Sequence, residues 1–222
     1  MDIKQDVGNV FPWDGTLTSS DFFRAAHMFS DKWRRFNTSV PPWLWVEGYL
    51  SLEKMSLFKS SEEKQDAGSL ISKEERNMLE NEEPFDCASL GPESDYQEIN
   101  HYDFHVVYSA SYKVPVLYFR AYHCDGQPLL LSEIEKGLPG LSVKLLSESK
   151  WTFITQEEHP YLNRPWYKLH PCGTCEWMKL LFSTHKSLTT NGSTIEHYLI
   201  SWFSVVGQVF GLKIPLEMLN CS

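Results

Sequence analysis

The sequence predicts an α+β fold with an antiparallel sheet, and three observations predict it. The apolar pattern runs helix, strands, long loop, helices; no βα unit repeats; and the two clearest β-rich runs follow one another across a tight join. The 222 residues are 42% hydrophobic and 14% aromatic. That suits one globular domain with embellishments and excludes a wholly disordered or fibrous chain.

Residues 18–36 read as the first helix. Thr18 and Asp21 have capping-box spacing, with Asp in place of Glu, and Phe22, Ala26, Phe29, Trp33 and Phe36 fall on one face. Such a face packs on a core more often than it binds a cofactor. Pro41-Pro42 ends the helix, and Trp43 to Leu52 reads as a strand with Gly48 its one breaker. Residues 59–98 are rich in Ser, Glu, Asp, Lys and Asn, with Pro84 and Pro92. They predict a flexible acidic insert in a single domain spanning residues 1–222, with a short helix near Lys73–Leu79.

Order resumes with Tyr102–Tyr112 and Val114–His123, two β-rich runs joined around Lys113, with Pro115 where a missing N–H is tolerated. Asp125-Gly126 signals a turn. Ser132 with Glu135 predicts a short capped helix closed by Gly137 and Pro139, and Trp151–Thr155 a further strand. From Gln156 to Pro171 the prolines at 160, 165 and 171 forbid a long helix and predict an extended, rigid loop. Trp177, Met178, Leu180, Leu181 and Phe182 then form an apolar cluster. Ile195, Leu199, Trp202, Val205 and Val206 give a last amphipathic helix, broken around Gly207 and Gly211.

The net charge of −9 resides in one place. Residues 60–98 hold 12 acidic and 3 basic side chains, while the rest of the chain balances at 17 of each. A neutral body without a Lys/Arg patch makes nucleic acid an unexpected partner. The start, Met1-Asp2-Ile3-Lys4-Gln5-Asp6, lacks the pattern of a secretory signal, and Tyr198–Val206 is too short for a transmembrane segment. Five widely spaced cysteines, Cys87, Cys124, Cys172, Cys175 and Cys221, suggest free thiols. A cytoplasmic protein is expected.

Signatures for phosphate loops, dinucleotide binding, zinc proteolysis and the α/β-hydrolase nucleophile are all missing. What stands out is His170-Pro171-Cys172-Gly173-Thr174-Cys175. Three readings compete. The cysteines are small buried side chains; or they join His170 at a zinc ion, although no second Cys/His pair lies downstream. In the third, a nucleophilic Cys172 stands before a helix whose N-terminus and amides favour thiolate. From the residues alone all three stay open.

Ile154-Thr155-Gln156-Glu157-Glu158-His159-Pro160-Tyr161-Leu162, followed by His170-Pro171-Cys172, resembles the active-site stretch of the autophagy ubiquitin-conjugating-like (E2-like) enzymes. Tyr108–Ala121 and Asp125–Leu129 strengthen the resemblance, which covers roughly residues 100–216 and has Trp202–Gly207 near its end. The family implies an N-terminal helix on a four-stranded antiparallel sheet, an active-site loop and C-terminal helices. No cofactor and no metal ion are expected. The family also implies that Cys172 accepts the ubiquitin-like autophagy-related protein 12 as a glycyl thioester from the E1-like autophagy-related protein 7. The cargo then passes to a lysine of the acceptor, autophagy-related protein 5, in autophagosome formation.

Ordinary ubiquitin-conjugating enzymes have His-Pro-Asn where this chain has His170-Pro171-Cys172, so the asparagine thought to help the oxyanion is missing. His170 and Pro171 are expected to support the loop, with Cys175 a bystander. Tyr161, Trp166 and Tyr167 are expected to pack the loop, and His159 to be structural. Two alternatives remain: a sister enzyme of the autophagy-related protein 3 type, conjugating its cargo to phosphatidylethanolamine, and an inactive conjugating-fold module that only binds.

Overall fold

Helix α1 (Ser19–Phe36) starts where the capping pattern places it. The computed structural model describes residues 13–58, 99–140, 142, 144, 154–184 and 191–219. In it Thr18 Oγ1 accepts the Asp21 N–H at 3.1 Å and donates to the Asp21 carboxylate at 2.6 Å. Phe22, Ala26, Phe29 and Trp33 are buried as their spacing predicts, with Ala25 and Ser30 beside them. Phe36, in the last turn, is exposed. After Pro41-Pro42 the chain is held back on the helix: Trp33 Nε1 donates to the Pro41 carbonyl at 3.1 Å and Ser30 Oγ to the Trp43 carbonyl at 2.6 Å.

The run Trp43–Leu52 is not one strand. It divides into β1 (Leu44–Val46) and β2 (Tyr49–Phe58), an antiparallel hairpin with Val46 opposite Tyr49. The turn residues Glu47 and Gly48 both have positive φ, 32° and 120°, the hand that suits the twist of paired strands. Gly48 is favoured there by its φ, and a Cβ, 2.7 Å from the end of the Tyr161 side chain, would also push that ring aside. Strands β3 (Ile99–Ser109) and β4 (Val114–Tyr122) follow, joined tightly at Lys113 as expected. β3 begins and ends three residues earlier than the expected Tyr102–Tyr112. In α2 (Leu131–Gly137) the cap is Leu130, whose backbone N–H donates to Glu133 Oε2 at 2.8 Å. Glu133, rather than the Ser132–Glu135 pair, closes that end.

The largest correction concerns Gln156–Pro171. Instead of an extended loop, the chain forms a hairpin of β5 (Ile154–Glu158) and β6 (Pro165–Leu169). The prolines permit this because Pro160 lies in the turn, Pro165 opens β6 and Pro171 lies beyond its end. β6 pairs with β4 through Tyr118–Lys168 and Phe119–Tyr167. Among the described residues the sheet therefore has six strands, in the order β1-β2-β3-β4-β6-β5, rather than four. It is antiparallel, as expected.

Helices α3 (Thr174–Thr184), α4 (Asn191–Val206) and α5 (Leu216–Leu219) complete the described chain, with a 3₁₀ turn over Gly207–Phe210. One sheet face, with Leu50, Leu52, Phe104, Val106, Leu117 and Phe119, packs into the main core with α1 and α4. Phe203 of α4 is fully buried there, its ring centroid 5.4–5.7 Å from those of Phe29, Trp33 and Trp43. Leu180 and Val205, expected on apolar faces, are exposed. The acidic insert, the helix near Lys73–Leu79, residues 151–153, Cys87 and Cys221 lie outside the described residues.

The opposite sheet face carries Tyr49, Val107, Val116, Tyr118 and Trp166, with Leu162 packed on them. Among these rings His105 and His159 are buried. The Tyr161 N–H donates to His159 Nδ1 at 3.2 Å, so the neutral ring keeps its proton on Nε2 and donates it to His105 Nδ1 at 3.0 Å. Burial foremost holds both rings below the usual histidine range; the His159 ring adds to this at His105, Arg120 faces both, and Arg164 faces His159. The unfolded chain takes up protons at these rings below about pH 6.5, while the folded chain does not. Their contribution is therefore complete above that pH and is lost as pH falls. The denaturation midpoint should drop from pH 7 to pH 5, with a shallower slope in His159→Gln; equal slopes would show that the pair does not govern the dependence.

Candidate active site

Strand β6 delivers the chain to His170, and four residues later α3 begins. The Thr174 N–H donates to the Pro171 carbonyl and the Trp177 N–H to the Gly173 carbonyl, each at 3.1 Å. The second bond is the first helical one, which makes Gly173, at φ 76°, the cap. Cys172 thus stands just ahead of α3 rather than opening it. Its thiol is free and partly exposed, and Pro171 is buried beneath the turn.

His170 holds this turn through both ring nitrogens. Nδ1 accepts the Cys172 N–H at 3.2 Å, and Nε2 lies 3.9 Å from Cys172 Sγ. A ring that accepts at Nδ1 carries its proton at Nε2 when neutral. Burial, then Lys168, holds His170 below the usual histidine range, with Glu157 opposing. In this tautomer His170 turns its Nε2 proton toward the sulfur.

A second donor comes from the β3–β4 turn. Tyr112 lies edge-on to His170, with centroids 5.7 Å apart. Its phenol is pushed above its ordinary range first by the charge of Cys172, then by burial, by a hydrogen bond to the same sulfur and by Glu157. Tyr112 and His170, from separate elements, thus come together beside one sulfur. Glu157 binds Lys168 Nζ at 2.5 Å, and that bond leads in holding its carboxyl below the usual range.

Cys175 differs. Its Sγ donates to Glu176 Oε2 at 3.0 Å, and burial, then Glu176, pushes its thiol up. That disfavours it as a nucleophile. Iodoacetamide near neutral pH should therefore modify Cys172 well before Cys175, read by mass spectrometry of the native chain. Faster labelling of Cys175 would reverse the ranking. Among the described residues no three His, Cys, Asp or Glu side chains are grouped for a metal ion.

The remaining residues singled out from the sequence are placed elsewhere. His159 belongs to the histidine pair, Trp166 stacks on His105 at 4.2 Å, Tyr167 packs on Phe119 and Tyr161 on Tyr49. Tyr112 was read only as the end of a strand. The three-residue shift of β3 is what moves it into the turn, and its position next to Lys113 was the available signal.

Comparison with known proteins bears on this site. The family described as "Autophagocytosis associated protein, active-site domain" matches residues 21–217. The "Ubiquitin-like-conjugating enzyme ATG10" of Arabidopsis thaliana is 54% identical over 235 residues, covering 99% of this chain and 100% of that protein. The Homo sapiens protein of the same name is 41% identical over 134 residues, covering 60% of this chain and 59% of its own. A solved structure described as "Crystal structure of Autophagic E2, Atg10" aligns with a TM-score of 0.31 and 21% identity, over 51% of this chain and 66% of that one.

Proposed function

The chain belongs to the autophagocytosis-associated family of E2-like enzymes that conjugate ubiquitin-like proteins, and from that membership we propose that Cys172 carries the cargo as a thioester. The cargo is autophagy-related protein 12, the donor is the E1-like autophagy-related protein 7, and the acceptor is a lysine of autophagy-related protein 5. The setting is the cytoplasm, and the whole chain acts as one conjugating domain. Among the described residues no helix is long and apolar enough to cross a membrane.

The observation that carries the reading is the free, partly exposed Cys172 thiol at the turn, with His170 Nε2 3.9 Å from its sulfur and the Tyr112 ring against His170. His170 Nε2–H is placed to face negative charge on that sulfur when it attacks the donor's thioester and again when it leaves. In the first step the sulfur bonds the cargo's terminal glycine carbonyl and the donor thiolate departs. In the second the acceptor amine forms the C–N bond at that carbonyl carbon, the C–S bond breaks, and the amine's proton passes to the departing Cys172 sulfur. A thioester is already activated toward amines, so positioning does most of the work.

The test is incubation with the E1-like enzyme, ATP and each ubiquitin-like cargo in turn. A reductant-sensitive adduct should form with autophagy-related protein 12. An adduct formed instead with the cargo destined for phosphatidylethanolamine would reassign the chain to the sister type. Loss of both would leave a binding module.

A further inference from the structure

Residues 13–17 run ahead of α1 and touch both sides of the candidate site, and we infer that this strap positions Tyr112 against Cys172, with Gly15 as the residue through which it acts. The inference rests on Cys172 being the nucleophile. At one end, the Leu17 N–H donates to the Lys113 carbonyl at 2.8 Å and the Leu17 carbonyl accepts from Tyr108 Oη at 2.8 Å. Both backbone groups of Leu17 are thereby engaged by the β3–β4 hairpin, at Lys113 next to Tyr112 and at Tyr108 four residues before it.

At the other end the strap lies on α3 and α4. The Gly15 carbonyl accepts from buried Tyr198 Oη at 2.8 Å. The Trp13 indole sits edge-on to Phe182 at 5.4 Å and Tyr198 at 5.8 Å, and its Nε1 donates to the Thr16 carbonyl at 2.9 Å. Asp14 accepts from Thr16 N–H and Oγ1, which fixes the bend between the two ends.

The closest approach is at Gly15. Its φ is 87°, and a Cβ there would lie 1.9 Å from the Cys175 carbonyl oxygen and 2.8 Å from the carbonyl carbon. That oxygen belongs to the first turn of α3, three residues from Cys172. The strap is thus a spacer, one end on the turn that carries Tyr112 and the other on the helix that follows Cys172. Restoring ordinary contact around a methyl needs a displacement of roughly 1.5 Å. A shift of that size in a positioned group costs on the order of 10²-fold in rate.

The experiment is a double-mutant cycle in the full chain between Gly15→Ala and Tyr112→Phe, reading the rate of adduct formation. Gly15→Ala should slow the Tyr112 chain at least tenfold and add little to Tyr112→Phe. Tyr198→Phe, which removes one hydroxyl and adds nothing, should act in the same direction with a smaller loss. It decides the matter where circular dichroism shows Gly15→Ala to be unfolded. Equal factors in both backgrounds would mean that the strap only supports the fold, and would overturn the inference. The ratio of Cys172 to Cys124 alkylation in the same variants needs no cargo, so it tests the strap separately. An adduct surviving Cys172→Ala would instead count against the nucleophile.

Discussion

Cys172→Ala should abolish the reductant-sensitive adduct completely, while Cys175→Ala should retain most of it. The contrast follows from the two environments. The thiol of Cys172 is partly exposed with His170 Nε2 3.9 Å from its sulfur, whereas the thiol of Cys175 donates to Glu176 and is pushed up by burial and then by Glu176. Cys172→Ser sharpens the result: a hydroxyl in the same place should trap an oxyester that resists thiol but yields to alkali. Non-reducing and reducing electrophoresis with an alkaline wash reads all three variants. An adduct that survives in Cys172→Ala would move the nucleophile elsewhere.

The second large effect is on stability. Phe203→Ala should cost about 3–5 kcal/mol, the range for deleting a buried aromatic ring. The ring is fully buried and faces Phe29 and Trp33 of α1 together with Trp43, so the helix layer and the start of the sheet meet across it. A domain holds roughly 5–15 kcal/mol in total, so this one change removes a large share. Denaturant titration measures it, and a loss under about 1 kcal/mol would show that neighbouring rings collapse into the space.

The sequence made α1 legible because its signals are local: a Thr18 cap, apolar residues on one helical face and a proline stop. His170-Pro171-Cys172 was legible because it is a compact motif inside a longer resemblance. The β5–β6 hairpin was not, since Pro160 and Pro165 argue only against helix, and pairing depends on β4, which lies far back in the chain. Gly48 read as a blemish in one strand rather than the turn of two, because Trp43–Val46 and Tyr49–Leu52 have the same β-prone composition on either side. Residues 13–17 carry no apolar period at all. Their role depends on Tyr108, Lys113, Cys175 and Tyr198, which come together only through the fold.

The hydrogen bonds of the turn around Cys172 bear on the lifetime of whatever it carries. The amides at Cys172 and Thr174, which flank the sulfur, are already committed to His170 Nδ1 and the Pro171 carbonyl. Hydrolases speed acyl transfer by aiming such amides at the developing oxyanion. Here those two point inward to the turn, and water attacking an acyl group on the sulfur meets no help from them. On the reading that Cys172 carries the cargo, the turn serves as a reservoir, in which a high-energy bond persists until a properly placed amine arrives and the encounter sets the timing.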